Sequence, residues 1–307
     1  MKRLTLVFLV TLALAPLPAH AAKKHRGSHR RSAARERPVS VYTRGGMPNI
    51  QAQAAVVIEL DGGQELFQKN PDEVRPIASI SKLMAMMVVL DRRLDLDAIT
   101  EVLESDRKLA RRGARSRLPV GAKFTNRDLL HAALMASDNR AVPALGRAVG
   151  LDPAAMTAAM NKKSTDLGLT HTSFGDPTGL DERNRSTPRE VARMLAAALK
   201  MPLISEITRK ARYVAHSVGG RASRAIEYTN TDVIARGSRY DVLGGKTGYT
   251  DLAGYCLAIA ARLDQKREVA MVFLGAHGKL TRFGDFTRAA QWIAEKKPGL
   301  ATVQKTL

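Results

Sequence analysis

The run Pro76-Ile77-Ala78-Ser79-Ile80-Ser81-Lys82-Leu83-Met84 sets a serine and a lysine three residues apart at the opening of an apolar segment. Positions i and i+3 share one face of a helix, so Ser79 and Lys82 can touch, whereas Ser81 points away and is the poorer partner. A serine hydroxyl is a weak nucleophile until a base takes its proton, and a lysine can be that base if burial lowers its pKa. Ile77, Ile80, Leu83, Met84, Met86, Met87, Val88, Val89 and Leu90 supply such burial. Spacing alone does not settle the matter, because Ser105 and Lys108 repeat it among charges, where a lysine stays solvated and protonated.

A lysine-activated serine needs a proton path to the leaving group, a cationic anchor for an anionic substrate, and backbone donors for an oxyanion. Ser137-Asp138-Asn139 and Lys246-Thr247-Gly248 are candidates for the first two, and each triplet pattern occurs once in the chain. In isolation both have plainer readings. Ser137 and Asn139 could cap the following helix, and Lys246-Thr247-Gly248 could be a turn at a strand edge. Asp176, Asp181 and Glu182 read as structural loop carboxylates. His131, His171, His216 and His277 stand in no metal-ligand spacing, so neither a metal nor another cofactor is expected.

The elements that must hold these residues follow from periodicity. Residues 54–60 read as a strand, Asp61-Gly62-Gly63 as a tight turn and residues 65–68 as the returning strand. The Ser79 helix is expected to run to about Arg92. From Asp95 to Lys200 the pattern is mostly helical: a helix opening at Thr125, another after Asn139, one from Pro153 to Leu167, and one from Pro188 to Leu199 capped by Ser186 or Thr187. Beyond Tyr213 strands return. Leu243 to Thr250 brings two consecutive glycines to a strand edge, residues 254–262 and 268–274 form a hairpin, and residues 282–296 an amphipathic helix. Strands at both chain ends with helices between them predict an α+β sandwich: one mostly antiparallel sheet built from both ends, carrying a helical insertion, with the site at the seam.

Ser79-x-x-Lys82, Ser137-x-Asn139 and Lys246-Thr247-Gly248, in that order, resemble the penicillin-recognising serine enzymes of β-lactamase/transpeptidase-like fold. The stretches around Ser79, Ala159-Met160-Asn161, Leu167-Gly168-Leu169, Phe174 to Asn184 and Ser186-Thr187 resemble the low-molecular-mass penicillin-binding proteins, the D-alanyl-D-alanine carboxypeptidases and endopeptidases of bacterial peptidoglycan. Gly278 to Asp285 followed by Trp292-Ile293 is similar to the murein DD-endopeptidase branch, and the end of the chain at Leu307, soon after the last expected helix, favours that branch. The resemblance implies Ser79 as nucleophile, Lys82 as its base, and Ser137 as proton relay to the leaving amine. It also implies that Asn139 holds the substrate amide or Lys82, that Lys246 and Thr247 bind the substrate carboxylate, and that the N–H groups of Ser79 and Tyr249, beside Gly248, form the oxyanion hole. Stem peptides and crosslinks are then the substrates, and β-lactams the covalent inhibitors. A DD-carboxypeptidase is the nearest alternative. A class A β-lactamase is less favoured, because no Glu-x-x-Leu-Asn falls between Asn139 and Lys246. A non-catalytic wall-binding protein is disfavoured because every polar catalytic position is present.

The remaining organisation concerns where the chain works. Lys2-Arg3, the apolar run to Leu17 and Ala19-His20-Ala21 read as a signal peptide over 1–21, hence an exported, periplasmic protein with no transmembrane anchor after cleavage. Residues 22–50 are expected to be a basic flexible tail, 51–300 the catalytic domain and 301–307 a C-terminal tail. The net charge of +20 and pI near 10.5 would ordinarily suggest nucleic acid, but export argues against it. Wall or membrane surfaces are the polyanions left. The single Cys256 excludes an internal disulfide and lies in an apolar run that reads as a buried strand.

Overall fold

The computed structural model describes residues 39–111, 113–219, 224–263 and 267–295. The expected signal peptide, most of the basic tail and the C-terminal tail lie outside the described residues. Residues 41–50, expected as the end of that tail, form a turn bridged between Tyr42 and Pro48, and the Tyr42 hydroxyl reaches Glu295 near the other end of the described chain.

In chain order, the hairpin strands β1 (Ala54–Glu59) and β2 (Glu65–Lys69) are followed by the short β3 (Arg75–Pro76). A 3₁₀ turn (Ala78–Ser81) then opens α1 (Lys82–Asp91). Ser79 therefore sits in this turn and Lys82 begins the α-helix, where the spacing predicted one continuous helix. Next come β4 (Ile99–Glu101), α2 (Glu104–Leu109), β5 (Lys123–Thr125), α3 (Asn126–Leu134), α4 (Ala141–Ala148) and α5 (Pro153–Asp166). After β6 (Arg185–Ser186) and α6 (Pro188–Leu199), α7 (Pro202–Arg209) precedes the hairpin β7 (Arg212–His216) and β8 (Ala225–Thr229). The chain closes with β9 (Asp241–Thr250), β10 (Gly254–Leu263), β11 (Arg267–Ala276) and α8 (Thr281–Glu295).

The main sheet has the order β2-β1-β11-β10-β9 with antiparallel pairing throughout. The expected sheet built from both chain ends is this one, closed by the β1–β11 pair. Its central strands are almost wholly apolar because both faces are covered, and such strands read as continuous rather than alternating hydrophobic runs. On one face, Cys256, Ala258 and Ala260 join the helical core. On the other, Leu257, Ile259 and Phe273 pack on Phe286, Trp292 and Ile293 of α8.

α1 is apolar around its whole circumference, and a helix without a polar face is a core helix. Met84, Met86, Val89 and their neighbours are buried against α3, α5 and α6. Each such side chain contributes about 1.5–3 kcal/mol on burial, which fixes the helix that carries Lys82. Capping sets the flanking helices: the Thr125 hydroxyl accepts from Asp128 N, Asp152 from Ala155 N and Thr187 from Glu190 N, the last choosing between the two expected caps. Strand β9 lies at the sheet edge, as its paired glycines suggested, and packs on α7 and the 3₁₀ turn.

Candidate active site

Lys82 is fully buried, yet its amine is surrounded by oxygen atoms. Nζ lies 2.8 Å from Ser79 Oγ, 2.7 Å from Asn139 Oδ1 and 2.5 Å from the Thr178 carbonyl. Burial lowers its pKa from 10.5 to about 7, a shift opposed by the negative charges of Asp176 and Asp138. As an ammonium Nζ donates to all three oxygens; once its lowered pKa has released a proton, the amine keeps Asn139 Oδ1 and the Thr178 carbonyl as acceptors and turns its lone pair to the Ser79 proton.

The three neighbours arrive by separate routes. Ser79 follows Ala78, a non-glycine residue at φ +47°, and such left-handed backbone costs an L-residue roughly 1–2 kcal/mol. It is held by its surroundings: Ile77 N donates to Asn184 O, and Ser81 Oγ donates to Ala78 O while accepting from Asn184 Nδ2. Asn139 comes from the α3–α4 loop, whose Ser137 also has positive φ, at +61°. Asp138 clamps that loop, its carboxylate accepting from Arg117 N and Arg140 N while its own N–H donates to Ala132 O. Neither Ser137 nor Asn139 caps α4, whose N-cap is Arg140, and this leaves Ser137 lining the cleft and Asn139 on Lys82. Thr178 is presented by a turn wound around Asp176, whose carboxylate accepts from the N–H groups of Thr178, Gly179 and Asp181. Asp176 is therefore a loop organiser, as its type and place suggested.

Strand β9 forms the opposite wall. Register pairs Lys246 with Ala258 and Gly248 with Cys256 on the helix-facing side of the sheet. Gly248 is required by close approach, since a Cβ there would lie 2.7 Å from Ile77 O and 3.3 Å from Ser79 N. Its neighbour Gly179 has φ +88°, and a Cβ there would meet Ala78 O at 2.2 Å. Two glycines thus press backbone onto the nucleophile turn from opposite elements. Thr247 Oγ1 lies 2.7 Å from Thr231 Oγ1, and Tyr249 stacks on Tyr255 with ring centroids 4.3 Å apart.

Lys246 is buried, with Thr247 O as its hydrogen-bond acceptor at 3.0 Å. Desolvation first, and then the like charges of Lys82 and Arg282, hold its pKa well below the usual lysine value. Arg282, from α8, donates to Gly248 O and Cys256 O at 2.8 and 3.1 Å, tying the helix to β9. Three basic side chains thereby gather beneath the cleft, Lys246 and Arg282 with the buried carboxylate of Asp232, whose pKa burial raises to about 6. Such a floor favours an anionic ligand.

Ser79, Ser137, Asn139, Thr247, Gly248 and Tyr249 line one cleft of about 860 Å³, and Lys82 and Lys246 lie beneath it. Every site residue expected from the motifs is brought together. Ser105 and Lys108, the second pair, are exposed on α2 away from this cleft. Sequence reasoning missed Thr178, whose contribution is a backbone carbonyl with no side-chain signature, and Thr231. It also missed the reach of Arg282 onto β9, for which the only signal was its place in the Gly278–Asp285 stretch. Among the described residues, no group of three or more His, Cys, Asp or Glu could hold a metal ion, and no helix is long and apolar enough to cross a membrane. Cys256 is buried in β10, with its thiol pKa pushed up to about 11 by desolvation.

A seryl hydroxyl against a buried lysine amine, at the edge of an antiparallel sheet covered by helices, defines a serine hydrolase of the transpeptidase-like class. The family model described as D-alanyl-D-alanine carboxypeptidase matches residues 42–278, and the chain belongs to that family of serine peptidases. It is 34% identical over 255 residues to the D-alanyl-D-alanine endopeptidase of Escherichia coli, covering 83% of this chain and 81% of that one. To the D-alanyl-D-alanine endopeptidase of Pseudomonas aeruginosa it is 36% identical over 252 residues, covering 81% and 80%. The crystal structure of a Streptomyces DD-transpeptidase superposes with a TM-score of 0.75 at 28% identity, covering 80% of this chain and 97% of that chain.

Proposed function

We propose that this serine DD-peptidase hydrolyses D-alanyl crosslinks between peptidoglycan stem peptides through an acyl-enzyme on Ser79. The observation that carries the reading is the Lys82 amine, buried and 2.8 Å from Ser79 Oγ with its two N–H acceptors already in place. Ser79 Oγ attacks the D-alanyl carbonyl as its proton passes to Lys82 Nζ. The N–H groups of Ser79 and Tyr249 stabilise the oxyanion, an arrangement supported by the approach of Gly248 to Ser79 N. Ser137 relays the proton to the leaving amine, and Lys246 with Thr247 binds the carboxylate beside the broken bond. Water then hydrolyses the ester and regenerates Ser79. Asn139 acts mainly by orienting Lys82.

β-Lactams acylate the same serine. Glu182 lines the cleft, but among the described residues no glutamate is hydrogen-bonded to Lys82, and the sequence has no Glu-x-x-Leu-Asn between Asn139 and Lys246 to position a deacylating water, so a long-lived penicilloyl ester is expected. The relatives at 34% and 36% identity, both named endopeptidases, favour the crosslink as substrate. Removal of a terminal D-alanine is the second reading, favoured by the description of the family model. The N-terminal sequence supports export by a cleaved signal over residues 1–21, which puts the enzyme in the periplasm beside its substrate.

Purified enzyme incubated separately with crosslinked muropeptide dimers and with monomeric pentapeptide separates the two readings. Conversion of dimers to monomers supports the endopeptidase. Release of free D-alanine from monomers with dimers intact overturns it.

A further inference from the structure

Between Asp106 and Asp128 the sequence contains no acidic residue, but it carries eight lysines and arginines. The fold gathers this segment onto one face. It leaves α2, passes Gly113 and Ala114, which line the catalytic cleft, and then runs along the β7–β8 hairpin. Arg117 donates to the Glu227 carbonyl and lies over the Tyr228 ring, while Val218 N donates to Lys123 O at 2.7 Å, so segment and hairpin form one surface.

Lys108, Arg111, Arg115, Lys123, Arg212 and Arg224 are all exposed there. The acids at its margin are Glu101, Glu104 and Glu227, facing Lys123, Arg107 and Arg212. Lys108 and Arg111 lie near enough to Glu104 to help lower its pKa, but neither they nor Arg115 and Arg224 form an ion pair within 4.0 Å among the described residues. Val120, Val214 and Val218 are also exposed on this face, giving it apolar contact area among the charges. An ordinary solvated surface intersperses both signs of charge evenly; here the three acids are outnumbered by the cations, and the surface continues into the cleft through Gly113 and Ala114.

We propose that this face docks a carboxylate-bearing polymer, namely the peptidoglycan whose crosslink enters the cleft. The proposal rests on the peptidoglycan-hydrolase reading. Peptide stems repeat carboxylates along a glycan, so neighbouring stems meet the cations while one crosslink occupies the site. The attraction is electrostatic and solvent-exposed, and is therefore screened over about 10 Å at 0.1 M salt.

The test is the triple reversal Arg111→Glu, Arg115→Glu, Arg224→Glu in the otherwise unaltered protein. Its control reverses as many charges at Lys162 of α5, Arg193 of α6 and Lys200 just beyond α6. Co-sedimentation with purified sacculi across a sodium chloride series is expected to weaken at least tenfold for the triple variant at low salt and little for the control. Hydrolysis of intact sacculi is expected to slow in parallel, while benzylpenicillin labelling and cleavage of soluble dimers stay unchanged, which also certifies that the variant is folded. Equal sacculus binding by variant and wild type overturns the proposal, as does equal loss in the control. Tighter binding to duplex DNA or to anionic phospholipid vesicles than to sacculi at the same salt overturns it in favour of another polyanion. If neither protein cleaves soluble dimers, the endopeptidase reading fails, while the sedimentation result still decides the docking face.

Discussion

At the scale of single residues, the chemistry depends on the charge of Lys82. Burial brings its pKa to about 7 from 10.5, and the reactive form is the free amine. Acylation of Ser79 by benzylpenicillin is therefore expected to rise about tenfold per pH unit below 7 and level off above it, measured as the second-order labelling rate. A rate independent of pH between 5 and 8 contradicts the assignment of Lys82 as base. The same shift has a stability sign. Between about pH 7 and 10.5 the unfolded chain holds a proton that the folded chain has lost, so this group makes stability increase with pH across that window. Lys82→Arg keeps the cation but cannot release its proton, and labelling should fall by roughly 10²–10⁴-fold. Gly179→Ala belongs at this scale too. Its left-handed backbone alone costs an alanine roughly 1–2 kcal/mol, and the added methyl would strike Ala78 O. A melting temperature lowered by several degrees, with slower acylation, is expected; an unchanged Tm would show that the two loops are not in contact.

At the scale of elements, the site is a meeting of loops fixed by polar side chains rather than a property of one helix. Asn184 accepts from Gly175 N and Asp176 N and donates to Asp176 O and Ser81 Oγ, fastening the Thr178 turn to the nucleophile turn. Replacing Asn184 with alanine orphans two backbone donors, each worth about 1–3 kcal/mol when buried. Stability and acylation should fall together in denaturant and labelling assays. Asp285 offers the contrast. It accepts from Gln51 N and Ala52 N and pairs with Arg288, joining the start of the sheet to α8 on the face away from Ser79. Asp285→Ala should cost similar stability with little change in labelling. Sequence periodicity made most of these elements legible, because Thr125, Pro153 and Pro188 mark helix starts by local chemistry. It did not reveal the 3₁₀ turn at Ser79, since i to i+3 spacing suits both helix types. Nor did it reveal α7, β4 or β7 as separate elements, which tertiary contacts define. Thr178 was invisible for the same reason: its carbonyl matters, and only the fold decides where a carbonyl points.

At the scale of the molecule, the chain folds back so that β1 pairs with β11 and the helical insertion lies over one face. Ser79, Ser137 and Lys246, far apart in sequence, meet where that insertion contacts edge strand β9. This is why the three motifs were readable only jointly: each alone has a plain structural explanation, and only their convergence on one cleft excludes it. The central claim is that Ser79, activated by Lys82, forms the covalent intermediate, and intact-mass measurement with peptide mapping after exposure to benzylpenicillin tests it most directly. The expected result is one penicilloyl group per chain, located on Ser79, persisting for many minutes and absent from Ser79→Ala. Label on another residue, label on the Ser79→Ala protein, or rapid turnover of the antibiotic with no adduct would contradict it.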